Sequence, residues 1–226
     1  SIDKDLDVYT LNEIKNILND KKNFTKREKK LLSSNFNVTK EHKFVIKHID
    51  CFDLNEVFKH MIYNEGHLME LLKNDTVGNY INTIIMTQVL TPYVLEKISK
   101  YLNKSHWLLI SKYQQLTEEL IETYINKIDI NNISQYQTLS SKFMFKYNNI
   151  LNIRKLCMYQ KVPSALLKYI IDEMHTISKY QRLNYSFINS HKYSLHWKHV
   201  KIDHLSNENI KILLHLFQVN VELIDL

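Results

Sequence analysis

Glycine, proline, cysteine and alanine are nearly missing from this chain. It has two Gly, two Pro, two Cys and one alanine, Ala165, in 226 residues. Phosphate loops and nucleotide-binding parallel sheets lean on glycines at fixed spacing, and Gly66 and Gly78 cannot build either. Asparagine is left to serve the turns, as in Asn131-Asn132 and Asn148-Asn149. Cys51 and Cys157 make no disulfide framework, so a reducing, intracellular setting is expected. Cys157 stands beside Leu156 and is expected to be a buried, inert thiol. No run of eighteen apolar residues occurs, so no helix is expected to cross a membrane. Ser1 to Asp7 mixes charged and apolar residues and carries no signal-peptide pattern. Gly-x-Ser-x-Gly, a recognisable Cys/His context and a phosphate loop are all missing, so neither enzymatic activity nor a cofactor is expected. The hydrophobic content of 44% and charged content of 24% are those of a folded protein of one or two domains.

What is present is a phrase that returns. Tyr113-Gln114-Gln115-Leu116, Tyr136-Gln137-Thr138-Leu139, Tyr159-Gln160-Lys161-Val162 and Tyr180-Gln181-Arg182-Leu183 place their leading glutamines 23, 23 and 21 residues apart. A fixed period of this size marks a repeat array. Gln88 begins the series, and His204 takes the glutamine's place in a last copy. Seven residues before these positions stand Ile81, Trp107, Ile130, Ile153, Met174 and Trp197; four before stand Ile84, Ile110, Ile133, Leu156, Ile177 and Val200. Spacings of three and four put both columns on one face of a short helix of about eight residues. Asp129 and Asn152 suit its N-cap, and His106, Glu173 and His196 share that column. Tyr80 does not suit it, so Asn79 is expected to cap instead.

After each glutamine comes a helix-start residue: Thr91, Thr117, Ser140, Asn184 and Ser206, with Pro163 departing from the pattern. Apolar residues then recur, as in Leu120, Ile121, Tyr124 and Ile128, or Phe143, Met144, Tyr147 and Leu151. They predict a second helix of about ten residues. Neither helix buries its stripe alone, whereas stacked neighbours do. The expected fold is all-α, an α-solenoid of helical-hairpin repeats of 21–26 residues spanning 80–226. Val221 and Ile224 fall where a further first helix would begin.

Residues 1–79 read as a less regular helical part with one degraded repeat. Thr10-Leu-Asn-Glu13 and Thr25-Lys-Arg-Glu28 are capping boxes, and Thr39 is expected to cap a third helix. Ile46, Ile49, Phe52 and Asp53 imitate the phrase with Asp53 in the glutamine place, and Asp53 also caps a helix through Val57 and Met61. Gly66 marks an expected turn before a helix from His67 to Leu72. Between Lys21 and His48, nine basic residues (Lys21, Lys22, Lys26, Arg27, Lys29, Lys30, Lys40, Lys43 and Lys47) less Glu28 and Glu41 give +7, above the whole chain's +6. Such a run is either a solvated face or an anion-facing patch.

The unit Leu116-Thr-Glu-Glu-Leu-Ile121, followed by Ile130-Asn-Asn-Ile-Ser-Gln-Tyr-Gln137, resembles a known kind of repeat. It is similar to the short Leu-Ser-Glu-Glu-Phe-Ile … Trp-x-x-Ile-Ser-x-Tyr-Gln repeats in proteins of large DNA viruses, such as giant viruses and insect poxviruses, and of some phages. The likeness covers about residues 80 to 226 and implies a viral protein in the cytoplasm or nucleus of an infected cell. His204 and Pro163 depart from the pattern, which questions a uniform role along the array.

Three sets of residues are candidates for function. The glutamines are expected to bond turn carbonyls and amides, or alternatively to read bases, one repeat per base. The adjoining tyrosines are expected to be packed. His191, His196, His199 and His204 lie within fourteen residues, but the repeat already gives three of them a place, so no metal is expected. The first helix's outer face carries Leu108, Leu109 and Lys112; Asn131, Asn132 and Gln135; Arg154, Lys155 and Met158; His175, Thr176 and Lys179; Lys198, His199 and Ile202. That face is basic and without acids, and Lys161 and Arg182 extend it. The expected use is docking a host or viral protein, with Lys112, Arg154, Lys155, Met158, Lys179, Lys198 and His199 as binding residues. The alternative occupant is a nucleic acid, held by the same charges in a basic groove.

Overall fold

The computed structural model describes residues 9–21, 23–35 and 37–217. The fold is all-α, with no strand among the described residues. Lys22, Val221 and Ile224, which entered the readings above, lie outside those residues, as does Ser1 to Asp7. No helix among the described residues is long and apolar enough to cross a membrane. The chain forms two compact units, Ser1–Gln114 and Gln115–Leu226, so the predicted array runs through both.

In the first unit, α1 (Leu11–Asp20) and α2 (Lys26–Ser34) each open on a capping box. Thr10 and Thr25 accept from the backbone N–H of Glu13 and Glu28, and both carboxylates bond back to the threonine N–H. Lys21 Nζ lies 2.7 Å from Glu28 Oε1, and chiefly that bond brings the Glu28 pKa down to about 2. α3 (His42–Lys47) starts at Glu41 without a side-chain cap. Thr39 does not cap it, because Val38–Lys40 winds into a separate 3₁₀ turn. α4 (Leu54–His60) is capped by Asp53 and α5 (Glu65–Leu71) by Asn64, which puts Gly66 inside a first turn rather than at a break. α6 (Ile81–Thr87), α7 (Pro92–Ile98) and α8 (Lys104–Tyr113) follow. α6 has no side-chain cap, because Asn79 is held in a 3₁₀ helix over Asp75–Tyr80. α8 begins earlier than expected: Asn103 caps it, and His106 completes the box from the third position.

The second unit holds α9 (Glu118–Thr123), α10 (Ile130–Tyr136), α11 (Ser141–Lys146), α12 (Ile153–Tyr159), α13 (Ser164–Leu167), α14 (Met174–Tyr180), α15 (Tyr185–His191) and α16 (Asn207–Phe217). Asn131 and Asn132 lie within α10 rather than in a turn, after the Asp129 cap. The second helices α9, α11, α13 and α15 run four to seven residues rather than the expected ten, whereas α16 in the last copy runs eleven. After α9 and α11 the chain reaches Tyr124-Ile-Asn and Tyr147-Asn-Asn, aromatic, branched and asparagine residues that favour turns over further helix. The last copy departs most: Trp197–His199 is a 3₁₀ turn, and His196 supplies no capping oxygen.

First helices pack on first helices, α6 on α8, α10 on α12 and α12 on α14. Ile84, Ile110, Ile133, Leu156 and Ile177 are fully buried and Val200 nearly so, as the column four before the glutamine requires. The glutamines clamp one copy to the copy before. Gln114 Oε1 accepts from Leu90 N–H at 2.9 Å, while its Nε2 donates to Gln88 O at 2.8 Å and to Ile85 O. Gln181 repeats this with Val162 N–H, Gln160 O and Cys157 O; Gln160 with Leu139 N–H and Ser134 O; Gln137 accepts from Leu116 N–H. Gln88 does the same to Tyr63 N–H, Phe58 O and Met61 O. That register puts Met61 in the glutamine place of the degraded copy. Asp53, read there from sequence, instead occupies the cap column eight residues earlier.

A second tie joins the helix ends. Three residues before the glutamine, the Ser134 and Ser178 hydroxyls donate to carbonyls four residues back. They accept from the N–H of the next copy's cap residue, Asn152 at 2.9 Å and His196 at 3.0 Å. Ser33 does the same for Asp53 N–H at 2.8 Å, which extends the repeat bond into the N-terminal part. Cys157 takes the serine's place in its copy, where burial pushes its thiol up to about 12.

Candidate functional site

The clamp fixes what lies beside it. Gln114, Gln137, Gln160 and Gln181 each cap the helix before them in extended backbone, with ψ between 140° and 157°. The helix ends at the tyrosine one place earlier, and no further turn covers its ring. Tyr113, Tyr136, Tyr159 and Tyr180 are 47%, 46%, 55% and 44% exposed, so the expectation of a packed column is wrong. Lys112 stands 5.0 Å over the Tyr113 ring and Lys179 5.3 Å over Tyr180.

In the second unit these rings border two adjoining clefts. One, of about 330 Å³, lies among Tyr136, Gln137, Met144, Tyr159 and Lys161. The other, of about 620 Å³, lies among Met158, Tyr159, Lys161, Tyr180, Arg182 and His204. Tyr159, Gln160 and Lys161 line both, so the clefts form one edge with aromatic walls and a basic rim. The rim is fixed on one side, where Arg182 reaches Asp203 at 3.2 Å. The first unit has a separate cleft of about 520 Å³ among Met69, Leu72, Ile81, Ile98, Tyr101 and His106.

The predicted binding residues divide between surfaces. Met158 lines the larger tyrosine cleft. Lys112 is on α8 in the first unit, while Arg154 and Lys155 are on α12. Lys179 on α14 meets Lys198 and His199 of the 3₁₀ turn, where both lysines act on the imidazole. Of the apolar anchors expected on this face, Leu108 is 44% exposed but Ile202 is buried, because the 3₁₀ turn rotates it inward; Thr176 is buried too. The sequence reading put His175 on this face but not among the binding residues or the clustered histidines, and its ring lies 4.8 Å from that of His196 and 5.4 Å from that of His199. Its signal was its place six before Gln181, the column that holds Lys198 in the next copy.

The remaining histidines are engaged in the fold. His191 stacks on Phe187 at 4.2 Å, and its Nδ1 lies 3.0 Å from Phe187 O. His204 Nε2 lies 2.8 Å from Leu183 O. Among the described residues, no group of three His, Cys, Asp or Glu side chains is placed to hold a metal ion. Carboxylates tie copies together: Glu65 accepts from Thr91 Oγ1, Glu118 from Ser140, and Glu122 pairs with Lys146 at 2.8 Å. Compared with known proteins, the chain matches no family model, no curated protein and no solved structure.

Proposed function

We propose that the array is a non-enzymatic scaffold that docks a protein partner along its tyrosine edge. One observation carries this reading: in four copies a tyrosine stands about half exposed at one fixed place, next to the clamping glutamine that follows it. Tyrosine offers a large amphipathic surface with few rotatable bonds, and it is enriched where proteins meet. The clefts beside Tyr159 add pockets for partner side chains, and Lys161 and Arg182 favour an acidic one. Glu65, Glu118 and Glu122 tie copies together and Asp53 and Asp129 cap helices, which supports a structural use of those carboxylates. A host or viral protein as partner rests on the resemblance of the repeats.

A second reading, a single-stranded nucleic acid, draws on the same rings as stacking platforms and on Arg154, Lys155, Lys179 and Lys198, which have no carboxylate partner among the described residues. Affinity capture from infected-cell extract, with and without nuclease, compares the unmodified protein with the Tyr136→Ala/Tyr159→Ala/Tyr180→Ala variant. The scaffold reading expects a nuclease-resistant protein lost in the variant, with little response to salt. Steeply salt-dependent binding of single-stranded RNA, lost in Arg154→Glu/Lys155→Glu, would replace it with the second reading.

A further inference from the structure

We propose that the imidazoles of His175, His196 and His199, with the ammonium groups of Lys179 and Lys198, form a proton-dependent site for a tetrahedral dianion, the phosphate monoester class. The site lies on the outer face of the first helices and adjoins the tyrosine edge at Lys179, whose ammonium stands 5.3 Å over the Tyr180 ring.

The geometry is a cluster of cations and potential cations without a counter-charge. His175 on α14 meets the His196 ring edge-to-face at 4.8 Å and the His199 ring at 5.4 Å. Lys179 lies one turn along α14, and Lys198 lies between the two histidines of the 3₁₀ turn. Every element packed against α14 contributes charge. The turn brings His196, Lys198 and His199, with Lys201 after it, and α12 brings Arg154 and Lys155. Only Ile171–Glu173 brings acids, Asp172 and Glu173, and Glu173 accepts from Thr176 Oγ1 at 2.9 Å. None of the five clustered groups ion-pairs with a carboxylate among the described residues. Elsewhere Lys21, Lys59, Lys146 and Arg182 all do. Five basic groups gathered with no acid among them raise the local concentration of anions at this face.

Proton linkage gives the site its direction. Desolvation first, and then Lys198, His175, Lys179 and His196, hold the His199 pKa below the ordinary histidine value. Protonation of the empty cluster therefore adds like charge and costs stability as pH falls below that value. A bound dianion reverses the sign, because it favours each imidazolium it touches. Binding takes up protons, and affinity rises as pH falls through the histidine range. A phosphate monoester carries close to two charges near neutrality, and a diester carries one, so the monoester is the better match.

Sulfate tests this cleanly, because its charge does not change between pH 5.8 and 7.8. The full chain is titrated with sulfate at both pH values while the histidine ring resonances are followed by NMR, with chloride at equal ionic strength as control. The expected result is a sulfate-specific shift of the His175, His196 and His199 signals, with affinity at least about tenfold higher at pH 5.8, as one linked proton allows. His175→Gln/His196→Gln, exposed positions whose change should leave the melting temperature unmoved, should weaken binding at pH 5.8 and reduce the pH dependence to the part that His199 carries. No sulfate-specific shift at pH 5.8, or equal affinity at the two pH values, would overturn the proposal. In a second arm, inorganic phosphate is compared with a short peptide carrying one phosphoserine and with its unphosphorylated form. Equal binding of the two phosphates assigns the site to the free ion, and tighter binding of the phosphopeptide assigns it to a modified partner. An oligonucleotide that binds where sulfate does not would remove the dianion from the proposal.

Discussion

The fifth and sixth copies of the repeat differ at the clamp position, and the difference helps to separate what the period supplies from what the clamp supplies. In the fifth, Gln181 accepts from Val162 N–H and donates to Gln160 O and Cys157 O, and its first helix, α14, is seven residues long. In the sixth, His204 reaches the copy before it through Leu183 O, its other ring nitrogen lies 3.5 Å from Asp203 Oδ1, and the first helix shrinks to the 3₁₀ turn Trp197–His199. The apolar columns persist in both, since Ile177 and Val200 are alike buried. Hydrophobic spacing therefore brings a copy into contact with its neighbour. A side chain that both donates and accepts at once is what goes with a full helix and an extended turn.

Four substitutions break or sharpen this comparison. Ile177→Ala removes the column common to both copies and should cost about 4 kcal/mol in urea denaturation, as full burial with little room to relax implies. A loss below about 1 kcal/mol would mean that the column does not carry the packing. Gln181→Leu keeps the volume but leaves one amide and two carbonyls without their partner, and should cost about 2–3 kcal/mol. Hydrogen exchange should report the loss first at Val162 N–H. His204→Gln should work in the other direction, stabilising by about 1 kcal/mol as the amide gains an acceptor for Leu183 N–H. A neutral or negative change in melting would show that the sixth copy is set by more than its clamp. Tyr159→Ala touches no clamp and should change stability by less than about 0.5 kcal/mol, while partner capture falls. A large loss of stability would return that ring to the core.

The period, the buried column and the bonding role of the glutamines were legible because each is a local rule repeated. Spacings of three and four identify one helix face, and an amide at a helix end has orphan groups within reach. The serine tie was not legible. A serine inside a short helix reads as neutral, and its partner N–H lies in the next copy, as with Asn152 N–H bound to Ser134 Oγ. Its signal was the recurrence of Ser111, Ser134 and Ser178 three before the glutamine. The tyrosines were misread because position −1 shares a face with position −4 in a continuous helix. Here the helix stops at the tyrosine, and the extended glutamine turns the chain away. Of the site, the lysines and His199 were visible as a column. The meeting of His175 with His196 and His199 depends on packing between copies, which a spacing along one helix does not contain.

The clamp points one way along the chain. Each glutamine reaches back to a turn made 19 to 25 residues earlier, as Gln181 reaches Val162 and Gln88 reaches Tyr63. A turn leaving the ribosome therefore waits, open, until most of another copy has been synthesised. The growing end always carries one unclosed loop, and the folded boundary trails synthesis by about one repeat. A chain cut within one copy loses the lock on the copy before it as well, so damage to this array spreads toward its N-terminus.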